Sequence, residues 1–178
     1  GFGDRSRRTV MIYDLGGGTF DISIVNMEGD ITEVLATHGN NHLGGDDFDQ
    51  LLVEYLLKEF QALHGVDLSR GYPVAYSRLW WAAEDAKIKL SFAPYVQLRE
   101  EALVTVDGKP LHLDVELSRE KYEEMIRPLV ESTLDSVAKA MADAGKGPRD
   151  LDAVLLVGGA TRTPLVTRTL EERAGTVP

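Results

Sequence analysis

The sequence predicts an α/β fold in which both ends of the chain form a core subdomain and the middle forms an inserted α+β subdomain. Three observations support this prediction. Apolar runs with period-two alternation occupy residues 9–37, apolar residues with helical spacing follow residue 45, and another apolar run ends at a glycine pair near residue 158. The predicted boundaries are 1–43 and 118–178 for the core and 44–117 for the insertion.

The first three elements are predicted to be strands of an antiparallel meander. Residues 9–15 are largely apolar, and in residues 20–27 the apolar side chains alternate with polar ones. The glycines at 16–18 connect these strands, and the turn at 28–30 leads to a third strand at 31–37.

Helical spacing begins after the pair Gly44-Gly45 and predicts an amphipathic helix followed by a second helix at 74–90. Asp46 and Asp47 lie in the first turn of the first helix, where acidic groups favour the positive end of the dipole. Its apolar face is predicted to contain Phe48, Leu51, Leu52, Tyr55, Leu56, Phe60 and Leu63.

The rest of the insertion is predicted to be strands at 95–99, 102–106 and 111–117, with a turn at 107–110. Ser118 is a candidate N-cap for helical sequence that continues to residue 144. Pro128 lies inside this helical sequence, so we expect either a kink or two abutting helices.

The end of the chain returns to the core. Residues 145–148 form a connector, and residues 153–157 are predicted to be a buried strand. Gly158-Gly159 then forms a tight turn, and Thr163-Pro164 is predicted to be the N-cap and N1 pair of a last helix.

The composition limits the classes of partner. The 178 residues carry a net charge of −10 and contain no cysteine, and 43% of them are hydrophobic. The negative charge argues against nucleic acid, which needs a basic face, but not against a nucleotide held by backbone N–H groups and a metal ion. No apolar run approaches the length of about 20 residues that spans a membrane, so we expect a cytoplasmic protein with no membrane partner.

Several familiar catalytic motifs are absent. The sequence contains no G-x-x-x-x-G-K-[ST] loop of a P-loop NTPase and no G-x-G-x-x-G that opens a helix. It also lacks the G-x-S-x-G nucleophile elbow. The four histidines have no metal-ligand spacing.

The strongest positive signal is the octet DLGGGTFD, from Asp14 to Asp21. Three glycines between two strands let backbone N–H groups approach a bulky anion, and Thr19 adds a hydroxyl. The carboxylates of Asp14 and Asp21 suit Mg²⁺, directly or through its waters. The alternative, a glycine-rich hairpin with two solvated acids, leaves more glycine than a hairpin needs.

Three weaker signals accompany the octet. The first is a strand that ends at Gly158-Gly159, which suits the flat face and ribose of a nucleotide. Arg162 in the same motif could stack on a base or bind a sugar or phosphate. The alternative is an ordinary turn with an exposed arginine. Gly44-Gly45 is largely explained as a turn before a helix. The third signal is one helix face that carries Glu84, Lys87 and Ser91. Such a face could contact ribose and base, although most charged faces are simply solvated.

Together and in this order, these motifs resemble the DnaK-type seventy-kilodalton heat-shock chaperone family. The segment DLGGGTFDISI (14–24) is similar to its second phosphate motif, HLGGDDFD (42–49) to its next signature, and LLVGGATRTP (155–164) to its adenosine motif. The resemblance covers about residues 9–173. It implies the second lobe of an actin-like ATPase domain with a ribonuclease H-like core.

The resemblance also implies roles for individual residues. Gly17, Gly18 and Thr19 would meet the β- and γ-phosphates, and Asp21 would organise ions and water near the γ-phosphate. The implied catalytic residues are Asp14, Thr19 and Asp21, with Asp14 holding Mg²⁺ through water. The implied nucleotide-binding residues are Gly16, Gly17, Gly18, Thr19, Gly44, Gly45, Glu84, Lys87, Ser91, Gly158, Gly159, Ala160 and Arg162.

Cofactors and partners follow from the same resemblance. The expected cofactors are ATP or ADP and Mg²⁺, with K⁺ as a second candidate ion. The expected partners are the first lobe and the peptide-binding domain of a longer parent chain, a J-domain co-chaperone, a nucleotide-exchange factor and unfolded client peptides. Without the first lobe, the isolated chain is expected not to hydrolyse ATP.

The sequence departs from the family pattern at two places. Ile88 occupies a position where some members have an arginine against the base, and the pair Trp80-Trp81 and residues 91–101 look divergent, which leaves the exchange factor open. We expect the tryptophan pair to be partly core, with one ring exposed. Two alternatives remain at this point: another actin-like lobe, such as that of a sugar kinase or filament subunit, and a non-catalytic chaperone homologue that serves as a binding module.

Overall fold

The computed structural model describes residues 7–176 and 178, which divide into two units. Unit 1 comprises Gly1–Asp46 and Arg127–Pro178, and unit 2 comprises Asp47–Ile126. The divisions at 46/47 and 126/127 differ from the predicted boundaries at 43/44 and 117/118. In chain order, the strands and helices are β1 (Arg8–Leu15), β2 (Phe20–Glu28), β3 (Ile31–Asn40), α1 (Gly45–His64), α2 (Pro73–Leu90), β4 (Tyr95–Val106), β5 (Lys109–Ser118), α3 (Arg119–Ala144), β6 (Ala153–Val157) and α4 (Pro164–Arg173).

Unit 1 contains a four-stranded sheet with the order β3-β2-β1-β6. The pairs β1–β2 and β2–β3 are antiparallel, as the predicted meander requires. Strand β6 pairs with β1 in parallel, a contact between residues more than 140 positions apart. Phe20, Ile22 and Ile24 are fully buried while Asp21 is exposed, which confirms the predicted alternation along β2.

Tyr13 anchors β1 in the core of unit 1. Its hydroxyl shares a 2.7 Å hydrogen bond with the hydroxyl of Thr133 in α3, and its ring lies 4.7 Å from that of Phe20 in an edge-on arrangement. Burial raises the pKa of Tyr13 to about 12, although the hydrogen bond with Thr133 acts in the opposite direction.

Strand β6 has the predicted bounds but is not the buried strand that was predicted. Leu155 is 49% exposed and Val157 is 44% exposed, whereas Val154 is buried. The prediction was wrong because an apolar run does not reveal whether both faces of a strand are covered. Among the strands of the described residues, β6 lies at the edge of the sheet and has a neighbour on one side only.

Unit 2 contains two helices and a hairpin. The apolar face of α1 includes the buried residues Phe48, Leu52, Leu56 and Phe60, as predicted, but Leu63 near the helix end is exposed. Helix α2 buries five residues with helical spacing, which are Ala75, Leu79, Ala83, Ala86 and Leu90.

The hairpin of unit 2 differs from its prediction. Residues 95–106 form one strand, β4, rather than two, and its register with β5 shifts between Glu100 and Val104. Ala102, inside the shift, has a φ of 47°, and Arg78 donates hydrogen bonds to the carbonyl oxygens of Glu101 and Ala102. This tertiary contact lets a single strand continue through a position where the local sequence predicts a break.

Helix α3 begins as predicted, because the Ser118 hydroxyl accepts a hydrogen bond of 3.0 Å from the N–H of Lys121. Pro128 does not divide it, and α3 is one helix of 26 residues. Thr163 and Pro164 are the N-cap and N1 residues of α4, but no side-chain hydrogen bond caps this helix.

Candidate functional site

The loop between β1 and β2 is a tight, open turn in unit 1. The N–H of Gly16 donates a 3.0 Å hydrogen bond to the carbonyl oxygen of Thr19, which closes the turn. Gly17, Gly18 and Thr19 are exposed. The turn therefore presents backbone and one hydroxyl to the surroundings, as the phosphate-loop prediction requires.

The Gly44-Gly45 motif packs directly against this loop. The N–H of Gly45 donates to the carbonyl oxygen of Gly16 at 2.7 Å, and that of Asp46 donates to Gly17 at 2.8 Å. A Cβ on Gly44 would lie 2.3 Å from the carbonyl oxygen of Gly17, so only glycine fits there. The N–H of Gly45 is therefore used within the protein, and the predicted approach of Gly45 to a nucleotide remains a prediction.

The glycine pair after β6 also reaches the loop. Gly158 has a φ of 100°, and a Cβ on it would lie 2.1 Å from the carbonyl oxygen of Leu15. Its own carbonyl oxygen accepts a 2.6 Å hydrogen bond from the hydroxyl of Thr161. Three motifs that are distant in the sequence thus meet at one end of the unit 1 sheet.

Gly18 and Gly159 differ from the glycines that the packing requires. Neither has a positive φ, and a Cβ on either residue would meet no atom within 4 Å. The fold therefore tolerates a side chain at both positions. Because glycine is otherwise unfavourable in ordered backbone, their presence suits close approach by a bound molecule.

The carboxylates of Asp14 and Asp21 lie beside this loop on paired strands. Asp14 is directly opposite Asp21 in the β1–β2 register, and directly opposite residues point to the same face of a sheet. Among residues 7–176, no lysine or arginine forms an ion pair with either carboxylate. Like charges directly opposite each other repel, so this pair favours a bound cation.

Two predicted residues after β6 have different surroundings. Arg162, at the end of a short turn of 3₁₀ helix (Gly159–Arg162), is exposed. Ala160 in the same turn is buried, with 5% of its surface exposed. Arg162 can therefore reach a ligand with its side chain, whereas Ala160 mainly contributes to the core of unit 1.

The predicted nucleotide face of unit 2 lies along α2. Glu84 is exposed, Ser91 is the half-buried C-cap residue of the helix, and Ile88 between them is exposed. Lys87 instead forms an ion pair of 2.8 Å with Asp49, and the two side chains are only 15% and 9% exposed. Sequence analysis missed the role of Asp49, because helical spacing on α2 cannot reveal a partner on α1.

Comparison with known proteins agrees with the motif order. The family model described as Hsp70 protein matches residues 1–178, which is the whole chain. The chain belongs to the Hsp70 family. This Hsp70 chain is also 46% identical over 170 residues to the chaperone protein DnaK of Thermotoga neapolitana. The alignment covers 95% of the chain and 28% of the relative, so the chain spans less than a third of that protein.

Family membership confirms the predicted family and the predicted mixed α/β fold, which is consistent with the actin-like ATPase fold of Hsp70 proteins. It also excludes the alternative of a sugar-kinase lobe or a filament subunit. In this Hsp70 chain, Trp81 is exposed and Trp80 is half-buried, as predicted for the tryptophan pair.

Two further features of the Hsp70 chain bear on the site. In the described part of the chain, no group of three or more His, Cys, Asp or Glu side chains could hold a metal ion. Across residues 7–176, no helix is both long and apolar enough to span a bilayer.

Unit 1 also contains an apolar cavity of about 230 Å³. It is lined by Leu134, Val137, Ala138, Met141, Pro148, Arg173, Ala174 and Thr176. None of these residues belongs to the three glycine motifs, and we assign the cavity no ligand.

Proposed function

We propose that this chain is the second lobe of the ATPase domain of an Hsp70 chaperone, and that it binds ATP and ADP with Mg²⁺. The observation that carries the proposal is the convergence of three glycine motifs in unit 1, with Gly18 and Gly159 left open. In the full-length protein, ATP hydrolysis drives the capture and release of unfolded peptides.

The phosphates are assigned to the open turn after β1. Gly17 and Gly18 carry no side chain that would keep a phosphate from the backbone, and the exposed hydroxyl of Thr19 can donate a hydrogen bond to a phosphate oxygen. Bound ATP would supply the phosphoanhydride bond, and its Mg²⁺ would supply the positive charge that neutralises the phosphate oxygens. The loop of this chain would orient the phosphates and exclude other orientations of them.

The two carboxylates are assigned to ions and water. With Mg·ATP bound, Asp14 would hold a water of Mg²⁺, and Asp21 would orient ions and water near the γ-phosphate. Their direct opposition in the sheet and the absence of an ion pair with a described lysine or arginine support this assignment. K⁺ is a second candidate for the same negative region.

Each unit has its own proposed adenosine contacts. In unit 1, Gly159 and Arg162 contact the nucleotide through the open backbone and the guanidinium group. In unit 2, Glu84 and Ser91 contact ribose and base, and Lys87 contributes an ammonium group that Asp49 holds in place.

The partners in this proposal are those of a complete chaperone. They are the first lobe, the peptide-binding domain, a J-domain co-chaperone, a nucleotide-exchange factor and unfolded client peptides. The 46% identity to a protein named as a chaperone, over 95% of the chain, supports this group of partners. We also propose a cytoplasmic location.

The test is a titration of the chain with Mg·ADP and Mg·ATP, followed by backbone amide chemical shifts. We expect weak binding with shifts at residues 17–19, 84–91 and Gly159–Arg162. Gly147→Ala is a suitable control, because a Cβ at this half-buried glycine meets its nearest atom at 3.7 Å. The same titration of the full-length protein separates two failures. Binding by the full-length protein but not by the isolated chain would indicate that the first lobe supplies most of the affinity. No binding by either protein would support a non-catalytic homologue.

A further inference from the structure

Gly39 lies in β3 directly opposite Asp21, and neither its backbone angle nor burial requires a glycine there. Its φ is not positive, so other residues could adopt its backbone conformation. It is exposed, so burial does not demand a small residue. Glycine inside a strand weakens the strand, and a close approach by another group is a common reason for it.

The approaching group is the carboxylate of Asp21. A Cβ on Gly39 would lie 2.5 Å from Oδ1 of Asp21, which is far inside normal contact distance. It would also lie 2.9 Å from the carbonyl oxygen of Phe20. The carboxylate therefore occupies the space that a side chain at position 39 would fill.

The strand register explains why this space matters. Asp14, Asp21 and Gly39 are successive neighbours across β1, β2 and β3. Asp21 therefore has a second carboxylate on one side and a residue without a side chain on the other. A methyl group at position 39 would exclude the observed rotamer and leave Asp21 with rotamers farther from β3, where repulsion by Asp14 opposes them.

We propose that Gly39 is a positioning residue for Asp21, because its missing side chain provides the space in which the carboxylate is held. This inference rests on the proposed function, in which Asp21 orients ions and water near the γ-phosphate. Gly39 acts through Asp21 and touches no reacting group itself.

The test is a double-mutant cycle in the full-length protein, with Gly39→Ala, Asp21→Ala and the double variant. ATP turnover and the Kd for Mg·ADP are measured for each. We expect Gly39→Ala to lower turnover by roughly 10- to 100-fold, as misplacement of a catalytic group by about 1 Å can do. The Kd should change far less. In the Asp21→Ala background, Gly39→Ala should cause no further loss of turnover.

The outcomes separate this inference from the proposed function. If Asp21→Ala leaves turnover unchanged, the assigned role of Asp21 is wrong, and the positioning role of Gly39 falls with it. If Asp21→Ala lowers turnover but Gly39→Ala does not, only the inference about Gly39 is overturned. An equal loss from Gly39→Ala in both backgrounds indicates a general structural effect and also overturns it. Gly147→Ala should leave turnover unchanged, as the matched glycine-to-alanine control.

A folding defect would be equally informative, because the carbonyl oxygen of Phe20 also limits the space at position 39. If Gly39→Ala alone does not fold, thermal unfolding of the double variant is compared with that of Asp21→Ala. Recovery of folding in the double variant supports the proposal, since it identifies the carboxylate as the obstacle. Failure to fold in both backgrounds contradicts it.

Discussion

Glycines that look alike in the sequence have different physical roles in the structure. A side chain on Gly44 would collide with the backbone of Gly17, and one on Gly158 with that of Leu15, so packing between loops requires both glycines. Gly18 and Gly159 have free space and ordinary backbone angles. The first group determines whether the loops assemble, and the second determines what can approach them.

This division predicts opposite results for two alanine variants. Gly44→Ala should lower the free energy of unfolding by about 1–3 kcal/mol, because it forces the backbone of two loops apart. Gly18→Ala should change the free energy of unfolding by less than about 0.5 kcal/mol, while weakening nucleotide binding. Denaturant unfolding and nucleotide titration measure the two effects. Strong destabilisation by Gly18→Ala would contradict the division.

The buried hydroxyl of Tyr13 predicts a loss of stability at alkaline pH. The pKa of Tyr13 is about 12 in the folded chain, against an ordinary 10.0. Burial of the neutral hydroxyl therefore contributes fully to the free energy of unfolding below pH 10, and this contribution is lost as the pH rises towards 12. Two pKa units correspond to about 3 kcal/mol. Tyr13→Phe removes this titration, so between pH 9 and pH 12 the free energy of unfolding of the native chain should fall by about 2 kcal/mol relative to that of the variant, and by the full amount only at higher pH. Parallel curves would show that the burial of Tyr13 has no such effect.

At the scale of elements, α1 and α2 are joined in unit 2 by a nearly buried ion pair. Lys87 carries one of the predicted nucleotide contacts, and Asp49 follows the glycine motif at the start of α1. Removing one partner of a buried pair lowers stability far more than removing one partner of an exposed pair. The exposed pair of Lys89 and Asp85 on α2 provides the comparison, since its side chains are 58% and 60% exposed.

We therefore expect Asp49→Ala to lower the free energy of unfolding by about 3 kcal/mol. Asp85→Ala should change it by less than about 1 kcal/mol. Denaturant unfolding of both variants at one pH makes the comparison direct. Because Asp49 holds the ammonium group of Lys87, Asp49→Ala should also weaken nucleotide binding in the full-length protein. Equal effects of the two variants on stability would contradict the buried role of Asp49.

At the scale of the whole molecule, the chain matches only part of the length of its Hsp70 relative. It spans 28% of the length of the DnaK protein that it resembles, and its net charge of −10 is unlike that of a nucleic-acid binder. The side chains described beside its glycine loop include the carboxylates of Asp14, Asp21 and Asp46 and the hydroxyl of Thr19. Phosphoryl transfer also needs positive charge placed around the transferred group.

This composition of the site predicts that the isolated chain does not hydrolyse ATP above the uncatalysed rate, whereas the full-length protein does. Phosphate release from both proteins under the same conditions measures the difference. The Asp21→Ala variant of the isolated chain controls for contaminating ATPases. Turnover by the chain that this substitution abolishes would show that one lobe suffices for catalysis.

The sequence by itself determined the family and most of the elements. The order of the glycine motifs identifies the Hsp70 family, and local periodicity locates β2, α1, α2 and the start of α3, because these signals depend on neighbouring residues. Local sequence could not show that β4 continues through Ala102, because a distant arginine contacts that bulge. Nor could it show that β6 has an exposed face.

Only the tertiary structure decided which residues meet. Four contacts join residues that are separate in the chain. Two of them are the pairing of β1 with β6 and the packing of Gly44 and Gly158 against the loop after β1. The others are the ion pair of Lys87 with Asp49 and the space that Gly39 leaves for Asp21. The physical reason is the same in each case. A residue type shows which interactions are available to it, but the distance between two groups is set by the packing of the elements that carry them.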